Sequence, residues 1–273
     1  FYIYCVGVRE SLAALFEAEL PGAVEDEAPL EAITAGDLTA VASAVPLASY
    51  GEEALQERLS DAGWTATRAM RHERAVEFFA RRATVIPLRF GTIYLTRRRV
   101  EELLAVREAE FKSIIARLEG REEWGVNVYT ESARLREHIV TASPRLREMS
   151  EQAAAASPGQ AYLLRKKIDA LRTDEARAAT KRVAAEIESE LSEASGEMGV
   201  RLRMLKDEAD EHGELAARLA FLVRREGFQD FRAAAERLAA RHDALGFRIE
   251  LTGPWPAYNF VGLKDEVGQK ENG

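Results

Sequence analysis

Apolar residues recur along this chain first at every second position, then at every third or fourth. The resulting order of elements is strand, helix, strand, strand, helix, strand, and that order occurs twice. In the first half, FYIYCVGV (1–8) is nearly all apolar, as a strand covered on both faces should be. SLAALFEAEL (11–20) reads as a short helix, with Ser11 as N-cap and Pro21-Gly22 as its stop. LEAITAGDLTAVASAV (30–45) predicts two strands around the turn Ala35-Gly36-Asp37. Residues 52–82 are helical with a break near Gly63, and TVIPLRFGTIYL (84–95) is a strand interrupted by Pro87 and Gly91. One long helix over 97–119 follows, with Val100, Leu103, Leu104, Phe111, Ile114, Ile115 and Leu118 on one stripe and Gly120 at its end.

The second half opens on EWGVNVYTE (123–131), where Val126 and Val128 alternate with Gly125 and Asn127. Ser143-Pro144 and Ser157-Pro158-Gly159 bracket a short helical piece, and 160–194 form one long helix ended by Gly196 and Gly199. GVRLRMLKD (199–207) alternates Val200, Leu202 and Met204 against Arg201, Arg203 and Leu205, predicting a half-buried strand. The acidic loop 207–214 leads into a strand over 215–226, a helix carrying Phe228, Phe231, Ala235, Leu238 and His242, and a closing strand, FRIELTG (247–253). The fold class is therefore α+β: two tandem domains built on the split βαβ, ferredoxin-like plan, with antiparallel sheets and long helices on one face. Expected boundaries are 1–120, with 97–119 as an added helix, then 121–263, then a polar tail 264–273.

A length of 273 residues with 47% hydrophobic content fits two domains that each bury a core. No run approaches the ~18 apolar residues of a membrane span, so no lipid membrane is expected as a partner. FYIYCVGV reads as a strand, not as the apolar region of a signal peptide. A single cysteine, Cys5, within that run is expected to be a buried structural thiol in a reducing cytoplasm. The net charge of −8 argues against a polyanionic partner.

Catalytic and metal motifs are missing from the sequence. His72-Glu73 is followed by Val76 where a zinc-binding helix would place its second histidine, and His138, His212 and His242 have no partner at ligand spacing. There is no P-loop, no dinucleotide fingerprint and no nucleophile elbow. Glu186, Glu188, Glu190 and Glu193 read as a solvated helix face. Neither an enzyme nor a metal or cofactor is expected. The alternative is an RNA-recognition module, which is also βαββαβ with aromatics on its first and third strands. FYIYCV and LRFGTIYL superficially fit, with Arg89 and Phe90 as stacking groups. Against it, LRFGTIYL follows the second long helix instead of the hairpin, and the net charge has the wrong sign.

Four stretches carry a resemblance. PLRFGTIY (87–94) preceded by His72, EWGVNVY (123–129), SPGQAYLLRKK (157–167) and LTGPWPAYNFV (251–261) resemble, in this order, blocks of the gas vesicle protein F/L family. The resemblance covers almost the whole chain. It implies a two-domain accessory protein with ferredoxin-like elements and no catalytic activity, cytoplasmic and associated with gas vesicles. It further implies association with the small, very hydrophobic shell protein and with other gas vesicle accessory proteins.

Two of these blocks supply the expected binding residues Arg89, Phe90, Gly91, Trp255, Tyr258 and Phe260. In LTGPWPAYNFV, Pro254 and Pro256 fix φ and remove two donors, and Trp255-Pro256 is a possible cis bond. The aromatics either fold back to fasten the tail, filling a gap between the domains, or meet a partner. In PLRFG, Pro87 argues for an edge or bulge and Gly91 for close backbone approach. Arg89 beneath an apolar sheet would need a carboxylate such as Glu123, and His72 is expected to pack near this strand.

Overall fold

The computed structural model describes residues 1–26, 28–197, 199–202, 209–210 and 213–262. They form two compact units, Phe1–Glu122 together with the segment from Trp255, and Glu123–Pro254. The described residues from Trp255 onward thus belong to the first unit, where the expected boundaries put them in the second.

In the first unit the apolar run becomes β1 (Tyr2–Val8), buried along nearly its whole length because strands flank it on both sides. α1 (Arg9–Ala13) and a 3-10 turn (Ala14–Glu17) replace the helix expected over 11–20. β1 runs directly into this helix, so Val8 is the N-cap and Ser11 sits inside, where its hydroxyl has no cap to make. β2 (Glu31–Ala35) and β3 (Leu38–Ser43) pair as a hairpin whose turn needs Gly36 at φ +55°. The sheet order is β2-β3-β1-β4, where β4 is Val85–Pro87, and β1 pairs antiparallel with both β3 and β4. β4 has only three residues, not the twelve expected, because Pro87 cannot extend the ladder. Beyond it Leu88 N–H still donates to the Tyr4 carbonyl at 2.9 Å, and Ile93 bridges to Tyr2.

The helical layer is α2 (Leu47–Tyr50), α3 (Glu52–Leu59) and α4 (Ala62–Ala80). The break expected near Gly63 is set by Asp61, whose carboxylate accepts from Gly63 N at 2.9 Å and Trp64 N at 3.1 Å. Asp61→Ala removes this cap and is expected to cost about 1 kcal/mol by urea denaturation; an unchanged midpoint would show that the break is set elsewhere. α4 buries His72, Ala75, Val76 and Phe79, the i, i+3, i+4, i+7 set, in the core formed with Tyr2, Tyr4, Cys5, Leu12, Val41 and Val85. Each such large apolar side chain contributes about 1.5–3 kcal/mol by its burial. The single helix expected over 97–119 is two, α5 (Arg97–Val106) and α6 (Glu108–Leu118), with Arg107 at φ −103° and ψ 18° between them. Val100, Leu104, Phe111, Ile115 and Leu118 keep one buried stripe across that break.

In the second unit β5 (Arg121–Thr130) buries Val126 and Val128 as expected. α7 (Ser132–Ala142) and α8 (Pro144–Ala155) precede the 38-residue α9 (Pro158–Ser195), which ends on left-handed Gly196. β6 (Val200–Arg201) is the described part of the strand expected over 199–207; Met204, Leu205 and His212 lie outside the described residues. β7 (Ala209–Asp210) flanks β8 (Gly213–Arg224), and α10 (Phe228–His242) and β9 (Phe247–Trp255) complete the unit. The sheet order is β6-β8-β5-β9. Val183, Ile187 and Leu191 of α9 and Phe231 and Leu238 of α10 pack with Leu219, Phe221 and Val223 of β8. With the two-residue β7 left aside, both sheets run second–third–first–fourth in strand order, which is compatible with the split βαβ plan.

Candidate functional site

Three of the four family blocks can be followed through the first unit and the second. His72 is fully buried on α4, and its neighbours fix its chemistry. Nε2 lies 3.0 Å from the Leu88 carbonyl oxygen, which can only accept, so Nε2 carries the proton. Nδ1 then accepts from Tyr2 Oη at 2.9 Å, and Tyr2 Oη in turn accepts from Gly91 N–H at 3.0 Å. The Tyr258 hydroxyl sits 3.2 Å from Nε2, as a second acceptor for the same proton, and donates its own hydrogen to Glu73 Oε1 at 2.9 Å. Rings surround this chain: Tyr4 stacks on His72 at 5.7 Å, and Phe90 meets it edge-on at 5.9 Å.

With His72 neutral, Nδ1 is the acceptor for the Tyr2 hydroxyl hydrogen, and a proton there would take that acceptor away. Burial holds the imidazole down at about 4, opposed by its bond to the Leu88 carbonyl. Burial pushes the Tyr2 and Tyr258 hydroxyls and the Glu73 carboxyl up. The Cys5 thiol, fully buried beside this region, is also pushed up by burial, which fits a structural thiol and not a nucleophile.

The six expected binding residues divide accordingly. Phe90, Gly91 and Tyr258 meet at His72, and Gly91 reaches Tyr2 from φ +84°, a conformation that favours glycine. Phe260 is buried, with the Arg117 guanidinium 5.9 Å from its ring and donating to its carbonyl at 3.3 Å. Trp255, by contrast, is 53% exposed. Arg89 is exposed and not beneath an apolar sheet, because the chain has already left β4 when it reaches that position. The cis bond of the tail is Gly253–Pro254, not Trp255–Pro256. The RNA-recognition alternative also loses its platform: Tyr2 and Tyr4 are fully buried, and Phe90 follows the fourth strand.

A second feature belongs to the Glu123–Pro254 unit and was not expected. A groove of about 530 Å³ runs between α10 and β9, lined by Trp124, Phe228, Arg232, Ala235, Ile249 and Leu251 among others. Trp124 and Phe228 stack at 4.1 Å and 19° to form one wall. Arg232 and Glu236 pair at 2.8 Å on the rim, leaving the apolar walls without a net charge beside them. β9 is the edge strand of its sheet, so the groove lies along a sheet edge. The signal was present in the sequence: Trp124 shares parity with Val126 and Val128, and Ile249 and Leu251 share parity with Phe247. No helix of the described residues is long and apolar enough to cross a membrane.

Comparison with known proteins agrees with the four blocks. The family model described as gas vesicle synthesis protein GvpL/GvpF matches residues 1–262. Gas vesicle protein L of a Streptomyces species is 31% identical over 234 residues, covering 85% of this chain and 82% of that protein. Gas vesicle protein F of the same organism is 24% identical over 264 residues, covering 94% and 98%. Among solved structures, gas vesicle protein GvpF from an Anabaena species superposes with a TM-score of 0.65 at 18% identity, covering 96% of this chain and 98% of that one. GvpF from Microcystis aeruginosa gives 0.55, also at 18% identity. The shared fold, the four motif blocks in order and the match along residues 1–262 place this chain in the GvpL/GvpF family of gas vesicle proteins.

Proposed function

We propose that this chain is an assembly factor of gas vesicles that binds the small hydrophobic shell protein and keeps it soluble until it joins the growing shell. It acts in the cytoplasm in association with the vesicle, alongside other accessory proteins, and carries out no chemistry. A subunit that will wall off gas exposes apolar surface before assembly, and such surface aggregates in water. The observation that supports this reading most is the apolar groove beside edge strand β9, with the stacked Trp124 and Phe228 as its wall. Groove and edge together match a segment that offers both side chains and main-chain hydrogen bonds. Arg89 and Trp255, exposed residues of the two motif blocks that also supply Phe90, Gly91 and Tyr258 to the His72 cluster, are proposed as a further contact.

The test is co-expression with the shell protein of the same gene cluster. The shell protein is expected in the soluble fraction and in the same eluate as this chain, free of RNA. Phe228→Ala strips one groove wall and is expected to weaken retention about tenfold or more, given that buried aromatic anchors dominate such contacts. Trp255→Ala tests the first unit separately. A shell protein that precipitates equally with and without this chain would overturn the proposal.

A further inference from the structure

α9 is charged differently along its length. Its C-terminal half carries Glu186, Glu188 and Glu190, which pair with Arg241 and Arg201. Its N-terminal part, the SPGQAYLLRKK block, holds no carboxylate: none occurs between Glu151 and Asp169. Even the first turn, where the helix dipole favours an acid, has none. Ala161 and Ile168 are buried on one side of this stretch, so the opposite side points outward. There Tyr162 and Leu163 are 64% and 66% exposed, the only adjacent pair of large apolar side chains so exposed among the described residues. Helical spacing sets Lys166 one turn from Tyr162, Lys167 one turn from Leu163, and Arg165 beside Tyr162. Among the described residues none of these three cations has an ion pair, whereas Arg68, Arg97, Arg107, Arg134, Arg201 and Arg241 all do.

We propose that this face of α9 is a docking surface for an acidic amphipathic helix of a partner protein. Tyr162 and Leu163 supply the apolar seat, and Arg165, Lys166 and Lys167 are the cations that meet carboxylates flanking the partner's apolar stripe. Charge complementarity selects this occupant. The chain as a whole is acidic, at −8, but this face carries three cations and no carboxylate, so within about a Debye length it attracts anionic partners and repels cationic ones. Two apolar side chains on a rigid helix, packed from below, suit a helical stripe read at i and i+3 or i+4. This surface is distinct from the groove beside β9, and the proposal does not depend on shell-protein binding.

The full chain is titrated with a synthetic helical peptide bearing a leucine stripe flanked by glutamates. Parallel titrations use the same peptide with lysines in their place, vesicles containing anionic lipid, and a single-stranded oligonucleotide. The glutamate peptide is expected to bind, more weakly as salt rises, and the lysine peptide not at all. Arg165→Glu/Lys166→Glu/Lys167→Glu should reduce affinity at least about tenfold, and Tyr162→Ala/Leu163→Ala comparably, with unchanged circular dichroism since all five residues are exposed. Absence of glutamate-peptide binding, or equal binding by both variants, overturns the proposal. So does preferential binding of vesicles or oligonucleotide that the same substitutions abolish, which would assign the face to another class of ligand.

Discussion

Truncating Phe260 to alanine is expected to destabilise the protein by about 3–5 kcal/mol, the range for removing a buried aromatic ring. Truncating Trp255, five residues earlier in the same motif, should stay within about 1 kcal/mol of wild type. The difference follows from exposure: Phe260 is 3% exposed and Trp255 53%. Phe260 also anchors a second interaction, since Arg117 lies over its ring and donates to its carbonyl. Urea denaturation of the two variants, measured side by side, checks this. Equal losses would mean that Trp255 fastens the tail as firmly as Phe260, and its proposed role as a contact would fall with that result. If the losses differ as expected, a binding defect in Trp255→Ala can be read as a lost contact and not as a lost fold.

The same motif shows what sequence reasoning reaches and where it stops. Element order was legible because periodicity is a local property: β1, the β2–β3 hairpin, α9, α10 and β9 all fall where their apolar spacing puts them. Boundaries set by a single competing interaction were not. The break near Gly63 was legible but not the Asp61 cap that sets it, and Arg107 divides a stripe that otherwise continues unbroken. The candidate site depended on contacts far apart in sequence. Tyr258 meets His72 across 186 positions and Gly91 meets Tyr2 across 89, so no local pattern could announce that these motif residues serve one another. Arg89 is a related case: an inward position beneath the sheet would need the strand to continue past Pro87, and β4 ends there, leaving Arg89 exposed. The groove was the opposite case, built from parities visible on β5 and β9, but only their adjacency in the sheet brings Trp124, Ile249 and Leu251 to one place.

Acidification is expected to loosen the first unit through His72. In the unfolded chain this imidazole titrates near its ordinary value of about 6.5, whereas in the folded protein burial holds it at about 4. Between those two values the unfolded state binds more protons, so stability is complete above about pH 6.5 and falls as pH drops toward 4. A gap of this size corresponds to about 3 kcal/mol, most of it lost by the lower limit. The structural cause is specific. A proton on Nδ1 would face Tyr2 Oη, which already accepts from Gly91 N–H and would have to turn its own hydrogen away from the ring. Glu73 works in the opposite direction, since burial raises its carboxyl and its protonation in acid favours the folded state. Glu25, held down by Arg68 and Tyr50 against its own desolvation, adds its loss at lower pH than the unfolded histidine. The contribution of His72 is therefore isolated by comparing wild type with His72→Gln, which cannot titrate. Stability of wild type should decline more steeply than that of the variant between pH 6.5 and 4, by up to about 1.4 kcal/mol per pH unit. Parallel curves would show that His72 is not held neutral, and with that the proton order from Gly91 through Tyr2 and His72 to Leu88 would be wrong.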